Sequence, residues 1–203
     1  GISSALITAR LAGFLSDGSP DQNVGLIRGK DGIYRARSPE QAMAILNEIV
    51  LDDMDNELYF TILLVEADLC TGHMRMSQAG HPHPAVQRAD GTVEFPGNGG
   101  LPVGLIPGAE FDSFEVQLEA GDRLLLTSDG VTECADPAGN LLDDDGLAQI
   151  LVSHQWVQEL EFFDVMIDAL TEYSKSPTFD DDVSAVMLEF KRSGANPVTQ
   201  TSS

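Results

Sequence analysis

The chain has 203 residues, 42% of them hydrophobic, enough to bury one full core and crowded for two domains. Its 33 acids against 11 bases leave a formal net charge of −22, which argues against nucleic acid or anionic membrane as a partner unless a cation mediates, and suits a cation or a basic or neutral protein. Cys70 and Cys134 stand far apart without a CxxC or CxxH companion and read as reduced thiols of a cytoplasmic protein; no apolar run reaches the roughly 18 residues of a membrane span, and no basic-then-apolar leader opens the chain.

Gly1 opens the chain without a methionine and already inside a helical pattern, so the chain is expected to be a fragment of something longer. Residues 2–15 set Ala5, Leu6, Ala9, Leu11 and Phe14 among small residues after Ser3-Ser4, the pattern of a packed helix. Residues 16–37 carry glycines and scattered charges without sustained periodicity and read as an excursion or flap. Ser38-Pro39-Glu40-Gln41 is a helix start, with a serine cap, proline at the first helical position and glutamine three after the serine. That helix is expected to reach Leu51 with Ala42, Ile45, Leu46 and Ile49 turned inward. Residues 59–67 are almost continuously apolar and rich in β-branched and aromatic side chains, so they read as a central strand.

A turn over 68–72 leads to a wetter partner strand, where Met74 and Met76 alternate with Arg75 and Ser77. Gly80-His81-Pro82-His83-Pro84 breaks it. Residues 93–95, 114–118 and 123–128 read as further strands with antiparallel spacing, the last two joined by Glu119-Ala120-Gly121-Asp122. After residue 129 the period changes. Residues 146–153 read as a short helix, and Trp156, Leu160, Phe163, Ile167 and Leu170 recur at steps of four and three as the core stripe of a longer one. Residues 183–190 make a closing strand, and 191–203 read as a disordered tail.

Two places carry the chemistry. In Leu124-Leu125-Leu126-Thr127-Ser128-Asp129-Gly130 an apolar run without alternation, the mark of a strand covered on both faces, ends in an acid followed by a glycine free to take positive φ in a tight turn. In Asp180-Asp181-Asp182-Val183-Ser184 three acids run into an apolar strand. Taken alone, the first is an ordinary turn and the second a solvated loop; together, two carboxylates at neighbouring strand ends suit a hard cation. Other motifs fail. Gly25 to Asp31 is one residue short of a phosphate-cradling loop and has Asp31 where a serine or threonine is needed. Leu141 and Val152 occupy the first and twelfth positions of any calcium loop there, so Asp143, Asp144 and Asp145 read as a cap and first turn. His81 and His83, each followed by proline, read as a structural loop before a metal pair. No serine has a histidine and acid at elbow spacing.

Five segments in order resemble the metal-dependent PPM protein phosphatases in their bacterial SpoIIE-type branch. They are Tyr59-Phe60-Thr61; Ala79-Gly80-His81-Pro82; Gly100-Leu101-Pro102-Val103-Gly104-Leu105; Gly121-Asp122-Arg123 through Thr132-Glu133; and Asp181-Asp182-Val183-Ser184. The resemblance covers residues 1–190, taken as one phosphatase domain ahead of the 191–203 tail. It implies an α+β fold, an αββα sandwich of two antiparallel sheets flanked by helices. It makes Asp129 and Asp181 side-chain ligands of a site for two Mn²⁺ or Mg²⁺ ions, which activate a water to hydrolyse phosphoserine or phosphothreonine. The partner it suggests is a phosphorylated regulatory protein, anti-anti-sigma-like, in bacterial partner switching, with a sensor or receiver domain upstream. Ser128 for threonine, Val183-Ser184 for Ile-Thr and His83 in the proline-rich loop are departures that touch no ligand. The family's first motif, an aspartate followed by Gly-His-Gly, should precede Ile2; with it the bridging aspartate and the N-terminal strands are expected to lie outside this chain. Two other readings stand beside the enzyme: a non-catalytic interaction domain that keeps the sandwich and binds a signalling partner, and a metal-stabilised structural domain.

Overall fold

The computed structural model describes residues 9, 11–16, 19–53 and 59–191. Of the first expected helix, residues 9 and 11–15 are helical, and the remainder lies outside the described residues, as does the expected tail beyond Lys191. The chain divides into two compact units, one of Gly1–Ala67, Met74–His83 and Pro96–Val116, the other of Asp68–His73, Pro84–Phe95 and Gln117–Ser203.

In the first unit the expected flap contains an antiparallel ribbon, β1 (Leu26–Arg28) with β2 (Tyr34–Ala36), in register Leu26↔Ala36 and Arg28↔Tyr34. Helix α1 (Pro39–Asp53) follows. Its first turn is closed by the Ser38 carbonyl, which accepts from the Gln41 and Ala42 N–H groups at 3.1 and 3.0 Å. The Ser38 hydroxyl, expected as the cap, is buried without a partner. The inner stripe also differs from expectation: Met43, Leu46 and Val50 are buried, while Ile45 and Ile49 flank them half-buried. The cause is a polar anchor. Asn47 is wholly buried, accepting from the Gly104 N–H at 2.8 Å and donating to the Ile106 carbonyl at 2.9 Å, which fixes the rotation of the helix about its axis.

Strands β3 (Ile62–Asp68), β4 (His73–Ala79) and β7 (Ser113–Gln117) form a sheet in the order β3-β4-β7. The strand expected to be central is therefore at the edge among the described residues, and its expected first residues instead form a bridge, Phe60↔Val103. The core strand is β4: Met74, Met76, Ser77 and Ala79 are all fully buried, and the Ser77 hydroxyl is satisfied by the Asp112 carbonyl at 2.8 Å. The expectation of a wetter β4 fails because Ser77 and Gln78 are buried and bonded inside rather than wetted, and Arg75 stays part-exposed, paired with Glu40.

In the second unit β5 (Ala85–Gln87), β6 (Val93–Glu94), β8 (Arg123–Thr127) and β9 (Ala185–Glu189) form an antiparallel sheet in the order β6-β5-β8-β9. The segments read as an adjoining pair, 114–118 and 123–128, thus belong to different sheets. Asp122 explains where β8 goes: its carboxylate accepts from the Ala89 N–H at 2.9 Å and from Arg88 Nη1 at 2.9 Å, tying the start of β8 to the end of β5. Leu124 and Leu125 are 3% and 1% exposed, as a run without alternation requires.

Helices α2 (Asp129–Thr132), α3 (Asp143–Ser153) and α4 (Glu159–Ser174) complete this unit. Asp143, Asp144 and Asp145 sit in the first turn of α3, where the helix dipole favours them. Leu147 and Leu151 of α3 join Phe162, Met166 and Leu170 of α4 in one core with Ala85 and Leu125 of the sheet. The expected stripe on α4 has the wrong phase. Trp156 precedes the helix and is 82% exposed, Ile167 is 38% exposed, and the buried row is Phe162, Met166, Leu170 at steps of four. The two sheets and their helices are of the αββα type expected. No helix among the described residues is long and apolar enough to cross a membrane.

Candidate metal centre

The β8–β9 ladder ends at Thr127↔Ala185, and Ser128 prolongs it by other means. Its N–H donates to the Ser184 carbonyl at 2.9 Å, its hydroxyl donates to the Asp182 carbonyl at 2.8 Å, and the same hydroxyl accepts from the Ser184 N–H at 2.9 Å. One side chain thus clips the end of one strand to the acidic turn that begins the other. Asp129 is the next residue after this clip, and Asp181 the residue before its far partner.

Gly130 closes the approach. The expected tight turn with a glycine at positive φ is instead the short helix α2, and Gly130 is not among the positive-φ glycines. The glycine is required by space: a Cβ there would lie 2.6 Å from the Asp182 carbonyl oxygen, 3.1 Å from its carbon and 3.4 Å from the Asp181 carbonyl carbon. Backbone therefore packs directly on backbone between α2 and the 181–182 turn.

Asp129 and Asp181 are both exposed. Each uses one oxygen on the next residue's N–H, Asp129 Oδ1 on Gly130 at 3.0 Å and Asp181 Oδ1 on Asp182 at 2.7 Å. Neither carboxylate has an ion pair or a further hydrogen bond among the described residues. Exposed carboxylate oxygens without a cation are donors of the kind a hard divalent ion takes. In number they fall short: among the described residues no three His, Cys, Asp or Glu side chains gather where they could share one ion.

A cavity of about 380 Å³ adjoins the acidic turn, lined by Gly130, Cys134, Asp136, Phe179 and Asp181 among others. Burial pushes the Cys134 thiol up, so it stays a neutral, apolar lining and offers no thiolate. Asp136 is held below the usual carboxylate range by the Asn140 side-chain amide and then by backbone N–H groups, so its oxygens are spent on its own turn. Sequence reasoning missed Ser128 as the clip, although a hydroxyl directly after the apolar run is its visible signal; the Cys134 lining had none. In the other unit His81 engages the Pro82 carbonyl at 3.0 Å, in keeping with a structural loop.

The Stage II sporulation protein E (SpoIIE) family matches residues 1–191. The phosphoserine phosphatase RsbU of Bacillus subtilis is 26% identical over 144 residues, which are 70% of this chain and 43% of that protein, so the chain spans less than half of this relative. The solved structure of the RsbU and RsbW domains of a Mycobacterium tuberculosis protein superposes with a TM-score of 0.69 at 20% identity, covering 95% of this chain and 49% of that one. The SiaA-PP2C domain of Pseudomonas aeruginosa gives 0.66 at 19%, covering 77% and 62%. The Bacillus subtilis SpoIIE phosphatase domain presoaked with Mn gives 0.60 at 18%, covering 93% and 74%. At these identities the three structures speak for the fold alone. With the family match over almost the whole chain, the chain belongs to the SpoIIE family, within the PPM branch of metal-dependent serine/threonine phosphatases.

Proposed function

We propose that the protein hydrolyses phosphoserine or phosphothreonine on a regulatory protein, with Asp129 and Asp181 as ligands of a Mn²⁺ or Mg²⁺ pair. When bound, such ions supply positive charge for the phosphoryl oxygens and make a water acidic enough to attack near neutral pH. The chain's own part is to hold and space the ligands. Ser128 fixes the separation of the two strand ends, Gly130 lets their backbones touch, and the unengaged oxygens of Asp129 and Asp181 are left for cations. The observation that carries the reading is this clip, because it joins the two acids at one end of one ladder without neutralising either.

The substrate reading is a phosphorylated anti-anti-sigma-like protein in cytoplasmic partner switching, supported by family membership and by the pairing of RsbU with RsbW domains in one relative. The shortage of carboxylates around the centre among the described residues favours a second reading, a non-catalytic interaction domain. Calorimetry with Mn²⁺ and phosphate release from a phosphoserine peptide decide between them. The enzyme reading expects saturable Mn²⁺ binding that Asp129→Asn and Asp181→Ala weaken at least about tenfold, since each removes a charged oxygen ligand, while Asp182→Ala leaves it within about twofold. Equal affinity in wild type and Asp129→Asn removes that residue from the centre; loss with Asp182→Ala alone shifts the register by one. Mn²⁺ binding without phosphate release favours a metal-stabilised structural domain, and neither binding nor release favours the interaction domain.

A further inference from the structure

The β1–β2 ribbon of the first unit gathers positive charge in a chain of net charge −22: Arg28, Lys30, Arg35 and Arg37 stand close together, with Asp31 the one acid among them. Two of these bases are spent. Arg35 pairs with Asp31 at 2.5 Å, and Arg37 donates to the Val24 and Leu26 carbonyls at 2.9 and 3.2 Å. Arg28 and Lys30 are exposed and have no ion pair among the described residues, in a chain with 33 acids against 11 bases. The Arg28 guanidinium is steadied without being neutralised, 5.8 Å from the centroid of the Tyr34 ring, whose hydroxyl donates to Asp21.

The ribbon also has an open edge. The Gly29 N–H donates to the Ile33 carbonyl at 2.8 Å and the Arg37 N–H to the Gly25 carbonyl at 2.7 Å. Ladder bonds therefore fall at every second pair, and the N–H and C=O groups of Tyr34 and Ala36 point away from β1. Among the described residues these groups have no partner and no third strand lies beside β2. On the outer side of β1, by contrast, Leu26 is already served, its N–H by the Asn23 carbonyl and its carbonyl by Arg37. Beside the open edge Ile33 is 58% exposed.

We propose that the outer edge of β2 takes an extended acidic segment of a partner protein as a third strand, its main chain pairing with Tyr34 and Ala36 and its carboxylates meeting Arg28 and Lys30. Strand addition needs a row of unpaired main-chain groups and side chains that recognise alternate residues of the incoming segment, and the ribbon has both. A nucleic acid fits less well. It offers no row of amide groups to the edge and no apolar side chain to Ile33, and its length carries it towards the acids elsewhere in the chain. A short segment confined to the ribbon is screened from acids farther off than about 8 Å.

The full chain is titrated into a labelled eight-residue peptide that alternates glutamate with valine, and fluorescence anisotropy is followed. Chelator is present and divalent cations are absent, so the result is independent of phosphatase activity. Saturable binding with a midpoint near about 0.1 mM is expected, with the peptide carrying glutamine for glutamate at least about tenfold weaker. Arg28→Ala combined with Lys30→Ala weakens binding at least about tenfold at an unchanged melting temperature, because both side chains are exposed. Ala36→Pro removes an outward N–H and no ladder bond, as proline does on natural edge strands, and should weaken binding at least about fivefold. Should that variant fail to fold, N-methylation of alternate peptide residues tests the same edge from the other side. No saturable binding up to about 2 mM, equal binding of the glutamine peptide, unaltered binding in the double variant, full binding despite the blocked edge, or tighter binding of an eight-nucleotide oligothymidylate overturns the proposal.

Discussion

Replacing Gly130 with alanine sets two physical effects against each other, and the structure says which wins. Gly130 lies in α2, where alanine is the better helix former by about 1 kcal/mol, so propensity alone makes Gly130→Ala stabilising. Space says the opposite. The new Cβ would stand 2.6 Å from the Asp182 oxygen, and ordinary contact begins at 3.4 Å, so the two backbones must part by about 0.8 Å. The Asp182 carbonyl cannot rotate away, because it is main chain and the Ser128 hydroxyl is bonded to it. Overpacking of this kind costs about 1–3 kcal/mol, and with rigid neighbours the upper part of that range applies. We expect a net loss of about 1–2 kcal/mol, read as a melting temperature lower by about 3–6 °C. Calorimetric melting of wild type and variant checks it. A melting temperature equal to or above wild type would refute the close approach. Under the proposed function, a shift near 1 Å between ligand-bearing segments also lowers turnover by about a hundredfold.

Asp122→Ala removes a carboxylate that is 3% exposed and accepts from Arg88, Ala89 and Glu119; breaking a buried pair costs about 3–5 kcal/mol, and a loss under about 1 kcal/mol in urea unfolding contradicts the staple. Burial alone would raise the Asp122 pKa, but the Glu119 N–H, Arg88 and the Ala89 N–H outweigh it and hold it below the usual carboxylate range. Its contribution is therefore complete above the unfolded-state pKa and disappears as pH falls through the folded one; wild type should lose more stability than Asp122→Asn across that acid window, and parallel curves would speak against it. Ser128→Ala deletes two hydrogen bonds, for about 1–2 kcal/mol, whereas Ser128→Thr keeps the oxygen and should stay within about 0.5 kcal/mol, measured by chemical unfolding.

What the sequence makes legible is what local patterning decides. The missing alternation of Leu124 and Leu125 fixes a strand buried on both faces, and Gly121 marks the turn before it, where φ is +94°. Phase is harder to read. On α4 the row Phe163, Ile167, Leu170 and the row Phe162, Met166, Leu170 share a residue, and both satisfy a helical period; the sheet beneath chooses between them, and no count of apolar spacings does. Asn47 has the same effect on α1, since a buried amide sets the helix rotation through bonds to residues more than fifty positions away. Strand β5 escapes notice because it is three residues long and follows a proline-rich loop, so nothing in its composition separates it from that loop.

At the candidate centre the reason read from the sequence for one residue, Gly130, differs from the one the structure gives. Asp-Gly suggests a turn needing positive φ, a demand of the chain on itself; the structure replaces it with a demand from elsewhere in the chain, the main chain of Asp182. Those two causes tolerate different changes. A positive-φ site accepts asparagine, which visits the left-handed region at modest cost, but a site of backbone contact rejects every side chain alike. The same distinction separates Ser128 from its neighbours, because its hydroxyl serves as donor and acceptor at once and only serine or threonine offers both at that length. The short segment 128–130 therefore joins a residue whose hydroxyl bonds the 181–184 turn, a residue with an exposed carboxylate and a residue without a side chain, and the first and last of these bring a strand end against that turn.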